Sequence, residues 1–166
     1  MGDKSGGAGR RVRGVGRIDD RLAALGLELP PLLPPAGSYV ACVLEGGLLH
    51  VGGPGPVAGS EVITGKVGDT VDLDTAVRAA RMTALSILAT MRAELGDLDR
   101  LRRIVKVFGM VNVAPGFNRT PQVIDGCSDL LVEVFGDAGR HTRSAVGLAE
   151  LPFDIAVEIE LSAAVD

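Results

Sequence analysis

The stretch RHTRSAVGLAELPFDIAVEIELSAAV, residues 140–165, concentrates the side chains best suited to chemistry. Glu158 and Glu160 are two residues apart, so in a strand both project from one face. A carboxylate there can take a proton from a water attacking an electrophilic carbon. Paired acidic residues also serve as solubilising or edge-protecting charges, and Glu160 is read as structural. Arg143 offers two parallel donors and a permanent positive charge, which suits a ligand carboxylate as well as an ordinary ion pair. Tyr39, the single tyrosine, suits the wall of a cleft or a core position with its hydroxyl at the surface. The two cysteines, Cys42 and Cys127, and the two histidines, His50 and His141, have no spacing that assembles a zinc site, so no metal is expected, and a carboxylate acting on an already electrophilic carbon calls for no organic cofactor.

Positioning these groups requires a sheet and helices. Residues 73–95 place Leu73, Ala76, Val77, Ala80, Ala84, Ile87, Leu88, Met91 and Leu95 on one helical stripe, with Gly96 to stop it. A second stripe runs from Pro121 to Phe135, capped by Thr120 and ended by Gly136. Residues 103–113 read as a long strand with Val105, Val107, Val111 and Val113 on one face and Lys106, Phe108, Met110 and Asn112 on the other. Two short runs around Gly46 and Gly47 form a hairpin, a weak strand falls near 62–66, and two strands close the chain. The order β-β-β-α-β-α-β-β predicts an α+β fold, a mixed six-stranded sheet with two long helices on one face. The other face then calls for a partner, and oligomerisation is expected.

Length, 166 residues, fits one domain. Residues 1–16 are read as a disordered tail, 17–35 as a short helix and proline-rich linker, and 36–166 as the domain. A net charge of −4 argues against nucleic acid as a partner. No run of eighteen apolar residues offers a membrane span, the start lacks a signal peptide, and the cysteine usage points to the cytoplasm.

Together, Arg143 before a short strand, Leu151-Pro152 at the turn and Val157–Glu160 in the final strand resemble the signature of the reactive-imine deaminase (RidA/YjgF) family. Tyr39 after a glycine, the GGPGP loop and GKVG ahead of the long helix occur in the matching order, so the resemblance covers residues 36–166. It implies a chorismate mutase-like homotrimer with ligand sites between subunits and hydrolysis of enamines or 2-imino acids to keto acids and ammonia. It further implies that Arg143 holds the carboxylate of a small imino acid and Glu158 positions the attacking water. Tyr39 becomes a cleft wall, and the backbone amides of Gly53 and Ala145 become ligand donors. The sequence departs from deaminating members at Gly52, where they carry serine, and at Gly126, where they carry asparagine. The alternative reading is a non-catalytic trimer that binds a small carboxylate. A ribonuclease or translation inhibitor, the older family description, is disfavoured by the charge and by an aromatic content of 3%.

Overall fold

The computed structural model describes residues 16–166, so the tail expected over 1–16 lies outside the described residues apart from Gly16. Ile18 and Leu22 stand one helical turn apart and are buried in helix α1 (Arg17–Ala24). The Asp99 carboxylate accepts from the first amides of α1, Arg17 N–H at 2.7 Å and Ile18 N–H at 3.0 Å, satisfying donors that no helical carbonyl reaches.

Strands β1 (Cys42–Glu45) and β2 (Leu48–Val51) form the hairpin around Gly46 and Gly47, whose φ values of 57° and 78° favour glycine. The next segment departs from the expected strand at 62–66. Two-residue strands β3 (Val57–Ala58) and β4 (Glu61–Val62) pair only with each other, and Thr64 makes an isolated bridge to Ile155. Among the described residues the main sheet therefore has five strands, not six.

Helix α2 (Leu73–Leu95) starts where Asp72 accepts from Thr75 N–H at 2.7 Å and ends at Gly96 with φ 73°. Strand β5 (Leu101–Asn112) carries irregular register between Leu101 and Arg103 and between Ile104 and Lys106. Those shifts change the alternation. Ile104, Val107, Gly109 and Val111 face the core while Val105 is exposed, correcting the expectation that Val105 shares a face with Val107. Asn112 is also fully buried, where its amide donates to Asp154 Oδ1 at 2.9 Å and its carbonyl accepts from Lys66 Nζ at 3.0 Å.

Helix α3 (Thr120–Phe135) begins one residue before the expected start. Thr120 is its first residue rather than its cap, and its hydroxyl donates instead to the Ala145 carbonyl at 3.0 Å. Strand β6 (Thr142–Leu148) pairs parallel to β5, a geometry that needs the α3 crossover between them. Strand β7 (Val157–Val165) then enters between β2 and β5, giving the order β1-β2-β7-β5-β6.

Helices α2 and α3 pack on each other and on one face of the sheet, above Leu49, Val107, Val111, Ile159 and Leu161. Their crossing is close because position 126 lacks a side chain, and a methyl there would run into the Val77 carbonyl. Gly126 thus faces α2, so the residue expected to stand for a missing pocket asparagine serves helix packing. The opposite sheet face mixes Val43, Leu48, Phe108 and Met110 with His50, Lys106, Glu160 and Ser162, and no helix among the described residues covers it.

Candidate functional site

The site residues expected from the sequence fall into two groups. Tyr39, Gly53 and Glu158 line one cavity of about 280 Å³, together with Gly52, the segment Pro31–Ala36 and the α2 residues Ser86 and Thr90. Arg143 and Ala145 do not line it.

Glu158 is the second residue of β7, opposite Met110 of the neighbouring β5. The loop after β2 presses on it: a Cβ at Gly53 would stand 2.5 Å from its Oε1 and 2.7 Å from its Cγ. Only glycine allows that approach. Burial pushes the Glu158 carboxyl above the usual glutamate range, and the like charge of Glu160 adds to the rise. A carboxylate so poised exchanges protons more readily near neutrality than an exposed one. The Tyr39 ring borders the same space, and its hydroxyl accepts from Ala36 N–H at 3.0 Å, tying the wall to the chain that precedes it.

Arg143 is the second residue of β6, an edge strand, in register with Val107, which in turn pairs with Leu161. Glu158 precedes Leu161 by three positions on β7, so the two side chains leave opposite faces of the sheet with β5 between them. Arg143 points to the helix side. Its Nη1 donates to Asp125 Oδ1 at 2.8 Å and to Ser128 Oγ at 3.0 Å, both on α3. His141 continues the chain of contacts: its Nδ1 meets the Gly139 carbonyl at 2.6 Å and its Nε2 meets Ser128 Oγ at 3.0 Å. A carbonyl only accepts, so Nδ1 carries the proton, and in the neutral ring Nε2 accepts from Ser128. Burial holds the His141 pKa below its ordinary value, opposed by the Gly139 bond and reinforced by Arg143.

Ala145 sits two residues along β6, paired with Gly109 on the helix side. The sequence reading missed Asp125, Ser128 and His141. A signal existed, because Asp125 and Ser128 are three apart on α3, the spacing of residues on one face, and lie beside its apolar stripe. Cys127, between them, is buried and pushed up to about 12, which leaves its thiol protonated and inert.

Residues 19–163 match the sequence profile of the YjgF/chorismate mutase-like family, whose members are described as candidate endoribonucleases. The chain belongs to the YjgF/chorismate mutase-like family. Among its relatives, "Protein TCP17" of Trypanosoma cruzi is 44% identical over 149 residues, covering 87% of this chain and 92% of that one. The crystal structure of Atu1372 from Agrobacterium tumefaciens, of unknown function, superimposes with a TM-score of 0.82 at 42% identity, over 90% of this chain and 92% of that one. A candidate endoribonuclease from Shewanella oneidensis MR-1 gives 0.86 at 30% identity, over 89% and 99% of the two chains. In this family's fold, the two groups above are the YjgF-like chain's own arrangement of an arginine, a glutamate and a glycine-walled cavity. No described helix is long and apolar enough to cross a membrane.

Proposed function

We propose that this YjgF-family protein hydrolyses 2-imino acids to keto acids and ammonium, without a cofactor, at clefts completed between the subunits of a homotrimer. The observation that carries this reading is the division of the site: Glu158, Gly53 and Tyr39 border a cavity, while Arg143 leaves the opposite sheet face at an edge strand. One chain alone does not bring a carboxylate clamp to a proton acceptor. A neighbouring subunit that sets its β6 edge against the cavity does.

In such a cleft the guanidinium holds the substrate carboxylate and presents the iminium carbon to the cavity. Water adds to that carbon as the Glu158 carboxylate takes one of its protons, giving a neutral carbinolamine. The protonated Glu158 returns the proton to nitrogen. The carbon–nitrogen bond then breaks as the hydroxyl oxygen becomes the keto oxygen, and its proton leaves with the nitrogen as ammonium. The raised Glu158 pKa suits a group that must act as base and then as acid. Asp125 already shares the guanidinium, so the ligand carboxylate adds to a partly neutralised cation.

Asp125 also supports a second reading, a trimer that binds a small carboxylate without turning it over, since an engaged arginine weakens the polarisation of its ligand. Complementation between variants addresses both. Neither Arg143→Ala nor Glu158→Gln should release keto acid from imines made in situ by an amino-acid oxidase. When the two are co-expressed and co-assemble, about one quarter of the sites in a cyclic trimer regain an arginine from one subunit and a glutamate from the next. Turnover near that fraction of the unmodified protein supports the shared site. Mixed trimers without activity, alongside an active unmodified protein, refute it. An unmodified protein that binds carboxylates without accelerating keto-acid release favours the second reading.

A further inference from the structure

We propose that the Glu158 cavity selects a substrate with a bulky apolar side chain, aliphatic or aromatic, over small or acidic ones. This rests on the deaminase reading and names the class of imino acid that the site takes. At about 280 Å³, the cavity approaches the lower end of the roughly 300–1,000 Å³ typical of small-molecule sites, far more than a methyl group needs.

Its walls decide the rest. Leu32, Leu33, Val57, Ile155 and the prolines of the 31–35 segment supply carbon surface. Each hydroxyl among the lining residues already holds a hydrogen bond to a neighbouring group. Ser86 donates to the Met82 carbonyl at 3.4 Å, Thr90 donates to the Ser86 carbonyl at 3.1 Å, and the Tyr39 oxygen accepts from Ala36. Among the described residues, Glu158 is the one charged side chain in the lining. An acidic substrate side chain would therefore meet a like charge and no cation from the same subunit's lining. A hydroxylated one would exchange water for carbon. An apolar one leaves water for a surface of its own kind.

The inference concerns the size and polarity of the far end of the ligand, so it can be read apart from catalysis. The full-length protein is supplied with imines made in situ from alanine, leucine, phenylalanine and glutamate by amino-acid oxidases of matching specificity, and keto-acid release is followed. The expected kcat/KM for the leucine and phenylalanine imines is at least about 10-fold above that for the alanine imine, the lower bound of discrimination by added methylenes. The glutamate imine is slowest. Thr90→Phe fills the cavity from α2 and should bring the leucine-to-alanine ratio toward unity. An alanine or glutamate imine turned over as well as the leucine imine overturns the inference, whatever its absolute rate.

If no imine is hydrolysed faster than in buffer, the deaminase reading fails, and the cavity is then judged by binding alone. Thermal stabilisation of the same protein by 4-methyl-2-oxopentanoate well above that by pyruvate upholds the apolar selection. Equal stabilisation, or none by either, overturns it.

Discussion

The backbone of Gly53 and the carboxylate of Glu158 stand closer together than any side chain at position 53 allows, since a Cβ would lie 2.5 Å from Glu158 Oε1. The loop after β2 therefore fixes where the carboxylate sits. Gly53→Ala should push Glu158 aside without disturbing the core, because the clash is with one side chain, from Cγ to Oε1, rather than with backbone. Displacement of a reacting group by about 1 Å costs on the order of 100-fold in rate. The expected outcome is a kcat reduced by about that factor with a melting temperature close to that of the unmodified protein, measured by steady-state imine hydrolysis and circular dichroism.

Arg143 should be needed for the ligand and dispensable for the fold. Its side chain is part-buried beside Asp125 and Ser128, and removing a charge-assisted carboxylate contact of this kind costs roughly 2–5 kcal/mol in binding or transition-state energy. Arg143→Ala should lose that amount while the proposed trimer persists in sedimentation. Arg143→Lys should recover little, because an ammonium lacks the planar fork. Full activity in Arg143→Ala would remove the clamp from the proposal.

Glu158 carries a stability signature of its own. Its folded pKa lies above the ordinary glutamate value, so the folded state holds the proton more tightly than the unfolded state does. Stability contributed by this group then falls as pH rises from the ordinary glutamate range through the folded pKa, and above that it stays lowered. Glu158→Gln, neutral at every pH, should melt higher than the unmodified protein at pH 7. The advantage should vanish as pH drops below the usual glutamate range. Melting curves across pH 4–8 read this directly, and a gain that persists unchanged at the acid end contradicts it.

Gly126→Ala should damage the fold rather than the chemistry. The added methyl meets the Val77 carbonyl of α2, which is backbone and yields only if the helices separate. Overpacking of this kind costs about 1–3 kcal/mol, and a chain of this size loses roughly 2–4 °C of melting temperature per kcal/mol. Differential scanning calorimetry should show the loss, with KM unchanged in the protein that remains folded.

Much of the architecture was legible in the chain. The stripes of α2 and α3, with glycines at 96 and 136 to end them, mark both helices because their periodicity and stops are local properties. The phase of β5 was not, since the register shifts that turn Val105 outward depend on how β7, far later in the chain, pairs with it. Nor was the strand count, because 62–66 is weakly patterned and its neighbours pair with each other. Motif order carried the choice of Arg143, Glu158, Tyr39 and Gly53, and no local signal said that the first leaves one sheet face and the rest border a cavity elsewhere. Gly126 shows the reverse case: its identity is plain in the sequence, while its purpose needs the position of Val77.

The placement of β7 has a consequence for synthesis. It follows every other described element in the chain, yet it lies in the middle of the sheet, joining the β1-β2 hairpin to β5 and β6. A nascent chain emerging from the ribosome can form α2, α3 and the β5-β6 pair, but until the final strand is released it has no way to unite the two halves of the sheet. During that interval the edges of β2 and β5 stand open to other strands. Ribosomes that stall within residues 157–165 should therefore yield chains that depend on chaperones, whereas release of that strand lets the sheet close in a single late step.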